Sequence, residues 1–451
     1  MPFRTLLMAV LTIYTHSANA TGAESVTVTD TCMSMVFRET PYADIRCGRR
    51  ITPRNIGDAK HFQLDHDSKG RLIEIRFMQA GALRPYSDRF VRAPRTTITY
   101  QDNIETRHYY NEHGHRALAA GNVYETRITR DKEGRRTSLT FHGINAQLVE
   151  NDFSIASYEW HVEDDGDVVE RRYDIDGNVQ RNRPGFGYLI TRFSYDARGL
   201  LFRMTNLGED GARPTADDAG IVSTVIHYDE NRQFTGWLNL DKNHTPKRGM
   251  SDIAEIRYLP SLFAGEKDAW FFDADGTPQL TRWGAHRVAY EFDQFGNETH
   301  RRHYGTDGAS KNANNGVGEI RSTWTPDGAH RISRAYFDID EKPVGVGSSN
   351  IHETRSTIDD QGRLVKNAFF SLNGENVMNP SIGYASEEFI FDDEGRLTEQ
   401  RFTNAANELT NHNVWGVSNI RYEYANDHSL MNVIHLNAAG ETVTPQWNPA
   451  H

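Results

Sequence analysis

The residues best suited to chemistry form a charged aromatic cluster in the second half of the chain. Residues 283–287 read WGAHR and residues 300–304 read HRRHY, on either side of an alternating segment that contains Glu291. Imidazole and phenol groups can move protons, and arginine forks pair with carboxylates. The cluster therefore predicts contact with an anionic polysaccharide. Its catalytic candidates are His286, Arg302, His303 and Tyr304, and its ligand-binding candidates are Trp283, Arg287, His300 and Arg301.

The same cluster fits a second interpretation, which is a solvated strand face held by cross-strand ion pairs. The sequence contains no G-x-S-x-G elbow, P-loop, dinucleotide fingerprint or H-E-x-x-H motif. If the protein is an enzyme, we expect a polysaccharide lyase or hydrolase with its site on the face around the cluster. Whether it is catalytic stays open at this point.

Two D-x-D-G segments resemble the start of a calcium loop. An EF-hand loop needs a glutamate at position twelve, and that position falls on Gly185 in the first segment and on Gly284 in the second. We therefore expect structural turns, with calcium as the alternative, and no other metal or cofactor. The aspartates concerned are Asp174, Asp176, Asp273 and Asp275.

A repeat of about 33 residues supplies the elements that must position these side chains. One set of Asp-x-x-Gly-like turns, named turn A, recurs at intervals of 31 to 34 residues. A second set, turn B, follows each turn A by 11 to 13 residues, so twelve units run from about residue 60 to about residue 445. Turn A closes at Gly70, Asn103, Gly134, Gly166, Gly199, Arg232, Gly265, Gly296, Gly328, Gly362, Gly395 and His428; turn B closes at Gly81, Gly114, Asn145, Gly177, Gly211, Asn243, Gly276, Gly308, Glu341, Gly374, Asn407 and Gly440.

Short strands with period-two alternation separate the turns, as in residues 288–292 (VAYEF). Aromatic residues stand four positions before turn B (Phe272, Tyr304, Phe337) and four before turn A (Tyr195, Tyr228). Equivalent positions stack in a solenoid, so we expect both rows to form a continuous core. The polar segments after turn B read as irregular loops.

Within this pattern, residues 195–200 (YDARGL), 292–297 (FDQFGN) and 391–397 (FDDEGRL) resemble the YD repeat of the RHS family. The resemblance covers most of the chain and implies an antiparallel sheet wound into a spiral or shell. It also implies relatives among toxin-encapsulating shells and adhesive cell-surface proteins. The predicted fold is thus all-β, about twelve strand-turn-strand repeats in a spiral sheet or β-solenoid, with a β-propeller as the alternative.

The N-terminus resembles an export signal. Arg4 precedes a short apolar run, and residues 18–20 (ANA) form a small-residue cleavage site. We expect cleavage after Ala20 and a periplasmic or secreted protein. In such a compartment Cys32 and Cys47, the two cysteines of the chain, are expected to form a disulfide. The expected domains are a signal peptide at 1–20, a disulfide-bearing cap at 21–59, the repeat array at 60–445 and a tail at 446–451.

Composition limits the partners. The chain has 451 residues, a formal net charge of −12 and 37% hydrophobic residues. The acidity argues against nucleic acid, and no run is long and apolar enough to span a membrane. The leading hypothesis is an exported, non-catalytic protein that binds a glycan or an envelope or cell-surface protein. The alternatives are the polysaccharide-cleaving enzyme, with its site in repeats 7–9, and an RHS-like role in contact between bacteria.

Overall fold

The computed structural model describes residues 26–84, 93–119, 121–183, 186–263, 266–426 and 428–445. These residues form 26 β-strands and one short 3₁₀ helix, Pro53–Asn55, which confirms the all-β class. The predicted signal peptide, the tail and the turn at Gly265 lie outside the described residues. Within those ranges, no helix is long and apolar enough to cross a membrane.

The strands are β1 (Val28–Cys32), β2 (His61–His66), β3 (Leu72–Gln79), β4 (Ala82–Leu83), β5 (Arg95–Gln101), β6 (Ile104–Tyr110), β7 (Glu125–Arg130), β8 (Arg136–His142), β9 (Ser157–Val162), β10 (Val168–Tyr173), β11 (Ile190–Tyr195), β12 (Leu201–Leu207), β13 (Ser223–Tyr228), β14 (Phe234–Leu240), β15 (Glu255–Pro260), β16 (Glu266–Phe272), β17 (Arg287–Phe292), β18 (Glu298–Tyr304), β19 (Glu319–Trp324), β20 (Arg331–Phe337), β21 (Ile351–Ile358), β22 (Leu364–Ser371), β23 (Ser386–Phe391), β24 (Leu397–Thr403), β25 (Asn419–Tyr424) and β26 (Leu430–Leu436).

All strands belong to one continuous antiparallel sheet in which each strand pairs with the next along the chain. The one branch is β4, which pairs with β3 while β3 continues to β5. The hairpins are long, and all but β5–β6 and β9–β10 carry a bulge beside turn A, as between Ser194 and Tyr195, whereas the ladder between repeats is generally shorter. Among the described residues no ladder joins β1 to β26, so the sheet is open. It is a spiral sheet rather than the separate blades of a propeller.

Local chemistry closes the turns. The Asp196 Oδ1 atom accepts the backbone N–H groups of Arg198 and Leu200, both at 2.9 Å, and Gly199 adopts φ 71°. A short carboxylate that binds its own backbone and a glycine with positive φ are what this turn requires. Three closing positions were wrong by one residue, because the positive φ falls on Asp102, Ala146 and His244 rather than on the predicted asparagines.

The polar segments after turn B are regular, unlike the expectation. Where the structure describes these segments without a gap, they form a third turn, named turn C. A residue before this turn donates its N–H to a carbonyl just after it, as from Asp217 to Ile221 at 2.9 Å. Neighbouring turns C are also bonded to one another, for example from the Asn314 N–H to the Trp283 carbonyl. Positive φ marks turn C at Gly121, Ser154, Gly220, Asp252, Gly284, Gly316, Gly383 and Gly416.

One predicted aromatic row does not face the core. The core clusters pack on the inner face of the sheet, and this row lies on the other face. Phe272, Tyr304 and Phe337 lie on the outer face, and the residues just before them point inward. A shift of one residue in a strand moves every side chain to the other face. The row before turn A does face the core, where Tyr195 and Tyr228 pack. The inward column before turn B includes Tyr109, Phe141, Arg172, Asn206, Phe271, His303 and Phe402.

The sheet returns to its starting point after about seven repeats. The Lys60 N–H donates to the Phe295 carbonyl at 2.9 Å. The Gln79 amide donates to the Asp327 carbonyl at 2.7 Å. These contacts set the turn-B edge of the first repeat against turn A of the eighth and ninth, so the later repeats wind onto the first coil.

Residues 33–50, named here the plug, cross the interior of the first coil. Phe37 stacks on Phe234 with 4.5 Å between ring centroids, and Tyr42 meets Trp160 edge-on at 5.7 Å. The predicted disulfide is confirmed, because Cys32 and Cys47 are bonded. It joins the two ends of the plug to each other.

Candidate functional site

The charged aromatic cluster lies on the β17–β18 hairpin, which brings its two stretches side by side. Arg287 is paired with Tyr304, Val288 with His303 and Glu291 with His300. Alternate residues of a strand point to opposite faces. The hairpin therefore divides the candidates between the two faces of the sheet, with His303 and Arg301 on the inner face and Arg287, His300, Arg302 and Tyr304 on the outer face. His286 lies just before β17, and its ring meets the Phe272 ring edge-on at 5.5 Å.

The two buried histidines of the cluster are engaged in hydrogen bonds to backbone carbonyls. The Nδ1 atom of buried His286 lies 2.7 Å from the Phe271 carbonyl, and that of buried His303 lies 2.9 Å from the Val317 carbonyl. Burial lowers the pKa of His303 below its ordinary value, so this imidazole is neutral at pH 7. The ring of Trp283 is 5.4 Å from that of His303 and remains 41% exposed.

Arg301 also faces inward, where its guanidinium lies 5.1 Å above the Tyr290 ring and pairs with Glu298 at 2.8 Å. Burial and these two neighbours together keep Arg301 a fixed structural cation. Its guanidinium group therefore does not reach a ligand on the outer face.

The outer candidates form cross-strand ion pairs. Arg302 pairs with Glu291 and, at 2.9 Å, with Glu319. The His300 imidazole lies 3.4 Å from Glu291. This geometry matches the interpretation of a solvated, ion-paired strand face.

Arg287 and Tyr304 repeat a contact that runs along the whole outer face. The Arg287 guanidinium lies 4.7 Å from the Tyr304 ring centroid and pairs with Asp268 at 2.6 Å. Because the same arrangement occurs in neighbouring repeats, it is a property of the repeat and does not mark one site. The equivalent pairs are Arg257 over Phe272, Arg321 over Phe337 and Arg355 over Phe370, at 4.1 to 4.3 Å.

The aspartates considered for calcium are engaged in turns. Asp174 Oδ1 accepts the N–H groups of Asp176 and Asn178 at 3.0 and 2.7 Å. Asp273 pairs with Arg248, and Asp275 accepts the Thr277 N–H at 2.9 Å. Over the residues that the structure describes, no group of three histidine, cysteine or carboxylate side chains is placed to hold a metal ion. Calcium binding remains a prediction.

A different part of the molecule holds a cavity of about 1340 Å³, named here the basin. It opens where the turns A of repeats 1–3 and 6, together with residues 260–262, surround the C-terminal half of the plug. Five carboxylates line it: Asp30, Asp44, Asp102, Glu105 and Glu230. Eight arginines line it, leaving three more positive than negative charges: Arg46, Arg49, Arg50, Arg71, Arg107, Arg130, Arg136 and Arg232.

Glu105 organises the wall of the basin. Its carboxylate is fully buried and accepts Arg107 Nε at 2.8 Å, Arg136 Nη2 at 3.2 Å and Arg130. Burial opposes ionisation of Glu105, but the charges of Arg107, Arg136 and Arg130 outweigh it and lower the pKa far below its usual range. The carboxylate is therefore ionised at every physiological pH and fixes three guanidinium groups.

The plug forms the floor, and arginines hold it to the coil. Arg136 Nη1 donates to the carbonyls of Pro41 and Tyr42 at 2.9 Å and of Ala43 at 3.0 Å. Arg49 Nη1 donates to the Leu262 carbonyl at 2.7 Å. Arg136 therefore joins the plug to the coil wall, since its Nη2 atom also pairs with Asp44 at 3.1 Å and Glu105 at 3.2 Å.

Sequence reasoning missed the basin because its arginines are scattered over 187 positions, from Arg46 to Arg232. Three lie close together in the plug, and the other five lie near the turns A of different repeats. Only the winding of the coil places them around one opening. The sequence did carry one signal, which is the position of each arginine within its repeat. Arginines next to turn A in the early repeats must lie at the same end of the first coil.

The fold and the basin define a spiral β-repeat protein whose first coil is plugged by its own N-terminal segment. No family model matches the chain, and no curated protein matches it. Solved structures do match: the crystal structure of TcdB2-TccC3-Cdc42, at 12% identity and a TM-score of 0.21, and that of TcdB2-TccC3, at 13% identity and 0.21. Both matches cover 85% of this chain, and 26% and 24% of those chains, so this chain spans about a quarter of their length.

Proposed function

We propose that this chain is an exported, non-catalytic binding protein whose basin takes an acidic glycan. The observation that carries the proposal is the excess of arginine around a cavity of about 1340 Å³ in a protein of net charge −12. Ligand cavities usually measure about 300 to 1,000 Å³, so the basin has room for several sugar units. Arginine forks pair with the carboxylates that such a polymer carries.

The rim offers both charge and a ring surface. Arg232 is exposed and stands on turn A of the sixth repeat. Arg71 also lines the basin, where it lies 4.4 Å from the Tyr100 ring centroid and pairs with Asp67 at 2.7 Å. An acidic glycan bound in the opening would meet guanidinium groups of more than one repeat.

The enzyme hypothesis and the role in contact between bacteria stay as predictions. A single sugar cannot touch His303 on the inner face and Tyr304 on the outer face at once. None of the three cavities described for this molecule is lined by His286 or His303. No observation on the hairpin favours cleavage over ion pairing.

The test is binding of the protein lacking residues 1–20 to polygalacturonate, with dextran as the neutral control, by isothermal titration calorimetry. We expect polygalacturonate to bind, dextran to bind at least tenfold more weakly, and the affinity to fall steeply between 0.05 and 0.5 M salt, because salt screens exposed charges. Arg50→Gln with Arg232→Gln should weaken binding, whereas Arg355→Gln, on the outer face, should not. Equal binding of dextran, or loss of affinity in Arg355→Gln alone, would place the site elsewhere.

A further inference from the structure

A second cavity of about 210 Å³ lies on the other side of the plug, between the plug and the inner face of the early repeats. Its walls are largely apolar and include Ile75, Leu139 and Phe141. Arg38 of the plug, Thr96 of β5 and Arg107 of β6 supply its polar end. Ile45 and Arg107 line both this inner cavity and the basin, so the two cavities share part of their walls.

Thr96 and Arg38 leave hydrogen-bonding capacity unused in the inner cavity. The Thr96 side chain is almost fully buried, and its hydroxyl has no hydrogen-bond partner among the described residues. Arg38 donates through Nε to the Ala43 carbonyl at 3.1 Å. In the described ranges no carboxylate lies within ion-pair distance of the Arg38 guanidinium, so its terminal nitrogens remain available. A buried unpaired donor costs free energy that a ligand can recover.

The charged groups around Arg38 also favour an anionic ligand, because positive charge is in excess there. Burial, followed by repulsion from Arg107 and Arg136, lowers the pKa of Arg38 to about 9. The nearby Asp44 and Glu105 carboxylates offset this only in part, because Asp44 pairs with Arg136 at 3.1 Å and Glu105 is shared by Arg107, Arg130 and Arg136. The inner cavity therefore favours one further negative charge.

We propose that the inner cavity binds a small organic monocarboxylate, with its carboxylate on Arg38 and Thr96 and its apolar body against Ile75, Leu139 and Phe141. The volume suits a ring or a short chain and excludes a polymer. Glu39 also lines this cavity, where it pairs with Arg183 at 3.1 Å and accepts the Asn182 amide at 3.1 Å. Its negative charge disfavours a dianion such as phosphate, which is why the proposal specifies a single charge.

The experiment titrates the same protein lacking residues 1–20, with its disulfide intact, with benzoate, benzamide and inorganic phosphate by calorimetry and thermal unfolding. We expect benzoate to bind one to one and to raise the unfolding temperature. Benzamide, which has the same shape without the charge, and phosphate, which lacks the apolar body, should each bind at least tenfold more weakly.

Variants separate binding from folding. Thr96→Val keeps the shape and removes only the unpartnered hydroxyl, so it should fold normally and weaken benzoate about tenfold. Arg38→Met should weaken benzoate further, while Arg198→Met, on an exposed turn A, should not change it. Arg232→Gln should leave benzoate binding intact even if it abolishes glycan binding, because it touches only the basin.

Absence of benzoate binding would overturn the proposal, as would equal affinity for benzamide. Unchanged affinity in Thr96→Val would also overturn it, since that variant removes a group the proposal assigns to the ligand. If Arg38→Met fails to fold, the Thr96→Val result decides.

Discussion

Replacing Arg136 with methionine tests whether the plug is held by a single side chain. Arg136 is buried at the start of β8, and its Nη1 atom faces the carbonyls of Pro41, Tyr42 and Ala43. Methionine keeps the apolar stem of the side chain and removes the guanidinium. The three carbonyls then lose their charged donor.

The expected loss of free energy follows from the number of protons on Nη1 of Arg136. Nη1 carries two, so two of the three carbonyls can receive a full hydrogen bond. At about 1.5 kcal/mol for each charge-assisted bond, the loss is about 3 kcal/mol. Glu105 adds little to this figure because Arg107 and Arg130 still neutralise it. A change of this size corresponds to more than a hundredfold in the opening equilibrium of the plug.

The assay is hydrogen exchange of the plug followed by mass spectrometry. The amides of Val36 and Gly48, which donate to carbonyls within the plug, report its opening. The disulfide keeps the ends of the segment together, so we expect faster exchange in residues 33–50 with little change in the repeats. The matched control is Arg135→Met, since the neighbouring Arg135 is exposed and pairs with Asp131 at 2.8 Å on the surface.

Equal exchange in Arg136→Met and Arg135→Met would refute the reasoning, because it would mean that aromatic packing holds the plug without the arginine. Faster exchange throughout the repeats would also refute it, since the predicted loss is local.

Three further predictions concern single residues. Arg172→Met leaves the buried Glu170 carboxylate, now 2.8 Å from Arg172, without its cation and should cost about 3 to 5 kcal/mol in denaturant unfolding, of which Glu170→Gln should recover part. His244→Gly should raise the free energy of unfolding by up to about 1 kcal/mol, because His244 holds φ 61°, whereas His244→Ala should give no gain. Burial lowers the pKa of His412 from 6.5 to about 4. The unfolded chain thus binds the extra proton, so stability should rise with pH between about 4 and 6.5 in unfolding titrations, and His412→Gln should remove its share of that rise.

The turns were predictable because local residues determine them. Asp196 and Gly199 satisfy their own backbone within five positions, so the sequence carries the whole cause. Turn C was missed because no single residue type opens it. Asp217 and Asn379 accept backbone N–H groups through their side chains, whereas Gly249 and Ala313 open the same turn through the backbone alone.

The sequence predicted only in part which side chains point to the inner face of the sheet. Tyr304 and His303 alternate with equal regularity, and both are large enough for a core. Arginine lies over Tyr304 from the outer side, while Val288 pairs with His303 from the inner side. The phase of the alternation is set by these cross-strand neighbours, which lie about 16 positions away in the sequence. The candidate site divided between two faces as a result.

The plug and its cavities follow from the width of the coil. Seven repeats place about fourteen strands around one turn of the spiral. Sheets closed with eight strands fill their interior with side chains, whereas those of sixteen or more leave an open channel. A coil of this width needs further chain to fill it, and Phe37 and Tyr42 supply that packing. The plug doubles back on itself, with Val36 bonded to Arg46 and Gly48 to Ser34, and it still leaves space on both of its sides. Arginines of distant repeats meet in that space. The proposed binding sites therefore lie in the first coil, although turns of the same kind recur along the described repeats.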